Sequence, residues 1–280
     1  MKISVYITSY NQKKFLKEAV DSVLRQTILP FEILIIDDAS TDGSQELILD
    51  YHEIHPQLVK YHFNNNNVGI TKSRNKALSL VKGNYITGLD GDDAYFPRKL
   101  EVQKQLVEKT GATLVYTNFF YAEDSLDNLV KIWCAHKNQL PKNFNVHTEV
   151  LTRNFPYETL FRSELFHKDL IEKTGVYDEK LQIYEDFEFK VRLSKYAKTA
   201  YSIEPLKIYR IHSGGLSRKS NEVHLKNLKY IFNKHKEDVE IFSEKEKNKI
   251  NQFIKRLELG NEPETSRKKE SLLKRILNKF

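Results

Sequence analysis

The chain has 280 residues, 40% hydrophobic and 30% charged, enough for one large domain or for one domain with an appendage. Its one cysteine, Cys134, excludes an internal disulfide framework and favours a reducing compartment. We find no run of 18 apolar residues, and no signal-peptide core develops behind Lys2. The composition therefore predicts a cytoplasmic protein without a spanning helix.

The net charge of +7 is confined to the C-terminal end of the chain. Residues 1–217 balance 28 Lys and Arg against 28 Asp and Glu, whereas residues 218–280 hold 17 against 10. A neutral body with a basic appendage is unlike a protein that coats nucleic acid, so we expect no nucleic-acid partner.

Apolar runs alternate with helical patterns through the first 120 residues. The runs predict strands at residues 4–8, 32–36, 58–63, 85–87 and 113–117. Helices are predicted between them, and this alternation favours an α/β fold with a mostly parallel, Rossmann-like sheet flanked by helices. After about residue 120 the alternation stops. A helix is predicted at about 163–172, and the chain is helical and basic from 219 onward.

The segment 84–93, NYITGLDGDD, ends a predicted strand with Asp90, Asp92 and Asp93. Three carboxylates within four residues repel one another unless a cation lies among them. Asp90 and Asp92 point the same way in an extended segment, which suits Mg²⁺ or Mn²⁺ sharing phosphate oxygens. Gly91 leaves room for a bulky group near the backbone. A solvated acidic turn is the alternative.

A second acidic turn, in IIDDASTDGS, places Asp37 and Asp38 after another predicted strand. Ligands of doubly wound sheets bind beyond the carboxyl ends of the strands, so both acidic turns are predicted to line one crevice. The alternative is that Asp37, Asp38 and Ser40 only shape the turn before the next helix.

Six segments, in order, resemble family 2 glycosyltransferases of the GT-A fold. They read SVYITSYNQKKFLKEAVDSVLRQT, ILIIDDASTDGS, NVGITKSRNKAL, YITGLDGDD, GVYDEKLQIYEDFEFKVRL and YRIHSGGLS. Two departures from the family's pattern are Ala39, where Gly is common, and Ser73, where Ala is common. The resemblance implies a GT-A domain over 1–218, with a nucleotide-sugar half at about 1–118 and an acceptor half at about 119–218. A basic helical extension would follow at 219–280.

The resemblance implies transfer of a sugar from a nucleotide diphosphate, with UDP the expected nucleotide, to a hydroxyl group. Asp92 would be the main protein ligand of Mn²⁺ or Mg²⁺, Asp90 would hold the ribose or the metal shell, and His212 would belong to that shell. Asp38 would accept a hydrogen bond from the base, and Arg74 would lie near the nucleotide. For His212 a structural role, and for Arg74 an exposed position on a helix, remain the alternatives.

Three further residues are candidate nucleotide contacts. Thr8 and Tyr10 end the first predicted strand at the rim of the crevice. Ser217 lies in the Gly-rich loop 213–218, which is predicted to close over the diphosphate.

Glu185 and Asp186 form the candidate catalytic pair. The resemblance implies that Asp186 removes the proton of the acceptor hydroxyl, with Glu185 in support, in a single displacement that inverts the anomeric centre. The alternative is that both acids start a helix and favour its dipole, and the two roles are compatible.

The last ten residues, 271–280, combine an apolar stripe with Lys274, Arg275 and Lys279. This pattern predicts a helix on an anionic membrane surface, which suits a glycan or lipid-linked acceptor, or else a helix that packs on a partner. We therefore expect an inverting glycosyltransferase of surface polysaccharide or glycolipid synthesis at the inner face of the cell membrane.

Two alternative functions stay open at the level of sequence. A nucleotidyltransferase would carry a Gly-rich phosphate loop near the N-terminus, and residues 9–13 do not form one. A non-catalytic nucleotide-sugar-binding scaffold is disfavoured because Asp92 and Asp186 are both present.

Overall fold

The computed structural model describes residues 1–141, 145–162, 164–181, 183–213 and 220–259. Within those ranges nine strands form one sheet. The strands are β1 (Ile3–Ser9), β2 (Glu32–Asp37), β3 (Val59–Phe63), β4 (Tyr85–Asp90), β5 (Ala94–Tyr95), β6 (Leu114–Glu123), β7 (Leu129–Ile132), β8 (Leu165–His167) and β9 (Thr199–Ile211).

Ten α-helices surround the sheet in the described part of the chain. They are α1 (Lys13–Leu24), α2 (Ser44–Ile54), α3 (Ile70–Leu80), α4 (Lys99–Thr110), α5 (His147–Leu151), α6 (Asp169–Thr174), α7 (Glu185–Tyr196), α8 (Asn221–Lys234), α9 (Lys236–Glu240) and α10 (Glu244–Glu258). None of these helices is both long enough and apolar enough to cross a bilayer.

The order of the strands is β3-β2-β1-β4-β8-β6-β9-β5, with β7 paired to β6. Strands β1 to β4 are parallel, as are β6 and β9, which confirms the predicted α/β fold with helices on the sheet. The sheet is nevertheless mixed, because β8 is antiparallel to both β4 and β6. β8 and α6 occupy the stretch where the sequence favoured one helix at 163–172, and that part of the prediction is wrong.

The first two strands are buried along their whole length, as parallel strands covered on both faces are expected to be. Alternate residues serve opposite faces. In β2, Ile33 and Ile35 enter one hydrophobic core together with α1, whereas Leu34 and Ile36 enter a second core on the other face. The sheet is therefore the partition between two cores.

The helices after residue 219 complete the second core. Leu228, Phe253 and Leu257 belong to the same buried cluster as Phe187 of α7. The fully buried carboxylate of Glu188, also on α7, contacts two cations and one imidazole: Lys234 at 2.8 Å, Arg192 at 2.7 Å and His235 at 3.2 Å. Burial alone would raise the pKa of Glu188, but His235 and Arg192 outweigh it and bring the pKa to about 2.

The parallel register brings the two acidic turns to one edge of the sheet. Ser9 at the end of β1 lies opposite Asp37, and Thr8 lies opposite Asp90. The carboxyl ends of β1, β2 and β4 therefore meet where the crevice was predicted.

In the turn after β2, the backbone of Ala39 is left-handed, with a φ of 64°. Asp37 holds this turn, since its Oδ1 accepts hydrogen bonds from the Ser40 amide and from Gln45 Nε2, each at 2.9 Å. A Cβ in this region costs about 1 kcal/mol or more, and glycine avoids that cost. This explains why the family pattern favours glycine at the position.

We expect Ala39→Gly to raise the free energy of unfolding by about 0.5 to 1 kcal/mol, because it relieves the left-handed strain. Ala19→Gly is the matched control: Ala19 lies inside α1, where glycine should cost about 1 kcal/mol. Urea unfolding followed by circular dichroism measures both. A loss of stability in Ala39→Gly as large as that in Ala19→Gly would contradict the strain.

Candidate active site

A cavity opens at the carboxyl end of β4, beside the first turn of α7. Its wall combines side chains from β1, β4, β8, β9, α3 and α7 with residues just before β8. Seven of the described residues that line it are charged: Arg74, Asp90, Arg162, Glu164, Asp186, Lys190 and Lys207. Carboxylates and cations therefore alternate around one opening.

Arg74 of α3 ties together two acidic segments that lie far apart in the sequence. Its Nη2 is 2.6 Å from Oδ1 of Asp90, and its Nη1 is 2.5 Å from Oε1 of Glu185. Burial would lower the pKa of Arg74, but Asp90 and Glu185 outweigh burial and raise it well above the usual value. Arg74 is therefore a buried bridge, which excludes the exposed helix arginine considered above.

The two partners of Arg74 titrate differently. Burial alone would raise the pKa of Asp90, but Arg74 and Lys207 outweigh it and bring the pKa to about 2. At Glu185 burial prevails over Arg74, and the negative charge of Asp186 adds to it, so the pKa rises to about 7. Asp90 is thus ionised at neutral pH, whereas Glu185 exchanges its proton near neutrality.

Asp186 presents an ionised carboxylate to the cavity. Its side chain is 31% exposed, and its Oδ2 lies 2.9 Å from Nζ of Lys190, which is also 3.4 Å from Glu164. Burial would raise the pKa of Asp186, but Lys190 and then Arg162 outweigh it and hold the pKa well below its usual range. Asp186 and Glu185 also stand in the first turn of α7, so the helix-starting role holds as well.

The acidic turn after β4 separates its three carboxylates. Asp90 meets Arg74, Asp92 meets His212 at 2.9 Å, and Asp93 meets Nζ of Lys207 at 2.9 Å. Each carboxylate thus has its own partner within the chain. Burial raises the pKa of Asp93 to about 6 in spite of Lys207, and the charges of Asp92 and Asp90 add to this rise, so repulsion within the turn persists.

Gly91 in this turn is needed for a close approach, but the approaching group belongs to the chain. A Cβ at this position would lie 2.7 Å from Oε1 of Gln12 and 3.0 Å from the carbonyl oxygen of Thr8. The Gly91 amide donates to that same carbonyl at 2.9 Å. The glycine thus ties the acidic turn to the end of β1.

Asp92 and His212 are the pair best suited to a divalent cation. Oδ2 of Asp92 lies 2.9 Å from Nε2 of His212, and the imidazole packs 4.9 Å from the ring of Phe15. A carboxylate with an imidazole suits Mn²⁺, and such ions commonly complete their shell with phosphate oxygens. In the described residues no group of three or more His, Cys, Asp and Glu side chains is arranged around a metal position.

The predicted nucleoside rim lies beside these residues. Asp38 accepts hydrogen bonds from Asn64 Nδ2 at 2.8 Å and from the amides of Val68 and Gly69 at 2.9 and 2.8 Å. A carboxylate has about four acceptor positions, and Asp38 uses three of them for the loop before α3. The turn before α2 is held by Asp37 instead.

Thr8 and Tyr10 differ in their surroundings. Oγ1 of Thr8 is buried and makes no hydrogen bond within the described ranges, whereas the Tyr10 side chain is 46% exposed. Ser217 and the predicted membrane helix at 271–280 lie outside the described residues, so their assignments stay predictions.

Sequence analysis missed several charged residues of the cavity, notably Arg162, Glu164, Lys190 and Lys207. One local signal was available, because Lys190 follows Asp186 by four residues on α7 and so faces it. The other three lie on or beside strands, and no spacing in the sequence links them to the acidic motifs.

The fold is shared with solved glycosyltransferases. The S. aureus TarS fragment 1–349 in complex with UDP-GlcNAc superposes with a TM-score of 0.68 and 19% identity, over 93% of this chain and 73% of that one. A mannosyltransferase of Pyrobaculum calidifontis in complex with GDP-Man and Mn²⁺ gives 0.63 and 17%, over 93% and 70%. The chain has the GT-A glycosyltransferase fold.

The sequence comparison is more specific. Residues 4–170 match the model of glycosyl transferase family 2, and the chain belongs to that family. The putative colanic acid biosynthesis glycosyl transferase WcaA of Escherichia coli is 28% identical over 246 residues, covering 87% of this chain and 84% of WcaA. In seven other curated relatives, the chain spans from 19% to 73% of the relative's own length.

We expect Arg74→Met to destabilise the fold by about 3 kcal/mol at pH 8, since it leaves Asp90 and Glu185 without their common partner. The loss should shrink toward pH 5.5. Removing Arg74 raises the pKa of Glu185 in the folded state further above 7. The folded variant then binds more protons than the unfolded chain, so its stability falls as the pH rises.

Denaturant unfolding at pH 5.5, 7 and 8 measures this effect. The control is Arg98→Met, which removes a side chain that is 54% exposed and should change stability by less than about 0.5 kcal/mol at each pH. Equal behaviour of the two variants would contradict the bridging role of Arg74.

Proposed function

We propose that this protein is an inverting, metal-dependent glycosyltransferase that moves a sugar from a UDP-sugar to a hydroxyl of a glycan or lipid-linked acceptor. The observation that carries the proposal is the ionised, partly exposed carboxylate of Asp186 in the same cavity as Asp90. Asp92 and His212 adjoin this cavity through the turn that begins at Asp90. In this arrangement Asp186 can receive a proton while Asp90 and Asp92 face the donor.

The nucleotide would lie along the carboxyl ends of β1, β2 and β4. Asp38 would accept a hydrogen bond from the base through its remaining position, with Thr8 and Tyr10 beside the nucleoside. Arg74 would hold Asp90 toward the ribose, and Ser217 would contact a phosphate. The UDP-GlcNAc bound to the S. aureus neighbour supports UDP as the nucleotide.

Asp92 and His212, with Asp90 nearby, would hold Mn²⁺ or Mg²⁺. When bound, such an ion supplies positive charge to the diphosphate as it leaves. The Mn²⁺ of the mannosyltransferase neighbour supports this assignment.

The reaction needs one proton acceptor. The acceptor's hydroxyl oxygen forms a bond to the anomeric carbon, the bond from that carbon to the diphosphate oxygen breaks, and its electron pair stays on the diphosphate. The hydroxyl proton passes to Asp186, whose pKa is held well below its usual range, so that its carboxylate is ionised at neutral pH. Attack from the far face inverts the centre, and Glu185 supports the base by holding the start of α7 through Arg74.

We assign the proposed acceptor to polysaccharide or glycolipid synthesis. The relative WcaA is named for colanic acid biosynthesis, which supports the assignment to polysaccharide synthesis. The basic residues of 271–280 would place the enzyme at the inner, cytoplasmic face of the cell membrane, next to a lipid-linked acceptor.

We expect UDP with Mn²⁺ to raise the stability of the protein by about 2.7 kcal/mol at 100 times its dissociation constant. Differential scanning fluorimetry with UDP, GDP, dTDP and CMP measures the shift. EDTA should abolish it, and Asp92→Asn should reduce it. A shift that persists in EDTA would contradict the metal, and an equal shift with GDP would contradict the choice of UDP.

We expect Asp186→Asn to lower sugar transfer by about 10² to 10⁴-fold, because the amide cannot take the proton. Its UDP-dependent thermal shift should be retained. The rate of UDP release from a panel of UDP-sugars measures the effect, with Asp169→Asn, an exposed carboxylate of α6, as the control. An unchanged rate in Asp186→Asn would show that another group is the base.

A further inference from the structure

Four cations line the cavity, and three of them are matched by carboxylates. Among the described residues Arg162 has no carboxylate within ion-pair distance, and its Nε is buried without a hydrogen-bond acceptor. Arg162 is therefore the unmatched cation of the cavity. The matched pairs are Arg74 with Asp90 and Glu185, Lys190 with Asp186 and Glu164, and Lys207 with Asp93.

Aromatic side chains hold Arg162 in place. Its guanidinium carbon lies 4.0 Å from the ring centroid of Tyr209 on β9, and that ring packs edge-on against Tyr121 of β6 at 5.7 Å. Burial would lower the pKa of Arg162, but Tyr209 and Asp186 outweigh it and raise the pKa. The group thus stays charged, as arginine does in proteins.

The Arg162 side chain is partly buried, and a partly buried charge with no carboxylate close by is stabilised less than a paired one. The ring of Tyr209 compensates only in part, because a cation above a ring is attracted more weakly than in an ion pair. The missing partner is therefore expected to arrive with a ligand. The flat guanidinium fork matches a carboxylate, which it can bind through two parallel hydrogen bonds.

The position of Arg162 argues against the donor diphosphate as this partner. Arg162 lines the cavity together with Asp186 and Lys190, at the base. Asp92 and His212, the pair assigned to the metal and hence to the diphosphate, are not part of the lining. Arg162 thus shares one cavity with the base and with Asp90, where the reacting sugars would lie.

We propose that Arg162 binds a sugar carboxylate, so that the enzyme acts on an acidic sugar as donor or as acceptor. This inference rests on the proposed function, because it places a sugar beside Asp186. It makes Arg162 a specificity-determining residue. The carboxylate has two sources, the transferred sugar or the acceptor sugar, and matched probes separate them.

The test measures binding by isothermal titration calorimetry with the full chain and Mn²⁺. UDP-glucuronate is compared with UDP-glucose for the donor, and methyl glucuronide with methyl glucoside, in the presence of UDP, for the acceptor. We expect the wild-type protein to prefer the acidic member of one pair by tenfold or more. Arg162→Met should abolish that preference, Arg162→Lys should restore part of it, and UDP affinity should change by less than twofold.

A stability measurement separates binding from a structural role. Arg162→Met should melt no lower than the wild type, since it removes a cation whose Nε is buried without an acceptor and whose loss breaks no ion pair with a described residue. Arg192→Met, which deletes one of the partners of buried Glu188, should melt several degrees lower. A melting temperature for Arg162→Met as low as that of Arg192→Met would overturn the inference.

Three binding results would also overturn it. The wild type could bind the acidic and neutral members of both pairs equally, while still binding UDP and releasing it from UDP-sugars; the inference then fails and the proposed function stands. Arg162→Met could weaken UDP itself by tenfold, which would assign Arg162 to the diphosphate. Absence of UDP binding in the wild type would remove the proposed function and the inference together.

Discussion

The salt bridge of Arg74 with Asp90 and Glu185 is the contact on which the site depends. It joins α3, the end of β4 and the first turn of α7, elements separated by up to 111 residues. Because a charged hydrogen-bonded fork has a fixed geometry, this one side chain sets the distance between the donor edge of the sheet and the helix that carries Asp186. A clamp of this kind prepares the cavity before any ligand arrives.

The remaining charges are organised around that clamp. Each carboxylate of the D-G-D-D turn has a different partner, so the turn needs no shared cation to fold. The arrangement keeps Asp90 and Asp186 ionised, while burial lets Glu185 and Asp93 hold protons closer to neutrality. The site therefore contains acids of the same type in distinct protonation states, and their surroundings assign the roles.

The parallel part of the fold could be predicted from sequence because each of its strands is a local apolar run, followed by a helix with a local apolar period. Strand β8 could not be predicted, because its three residues form a strand only through their position between β4 and β6. The acidic site residues were found because they form short motifs. Arg162 and Lys207 escaped detection because they lie far in the sequence from the acidic motifs, and only the fold brings them to the same cavity.

Helices α8 and α10 pack behind α7, so the residues that support this helix extend well beyond the segment that matches the family model. The family match ends at residue 170, before Glu185 and Asp186, and the back of their helix is closed by side chains as late as Leu257. Glu188, two residues after Asp186 on α7, contacts Lys234 and His235 from that later segment. Side chains through α10 thus belong to the core that covers the back of α7, so residues without any family motif support the helix that carries Glu185 and Asp186.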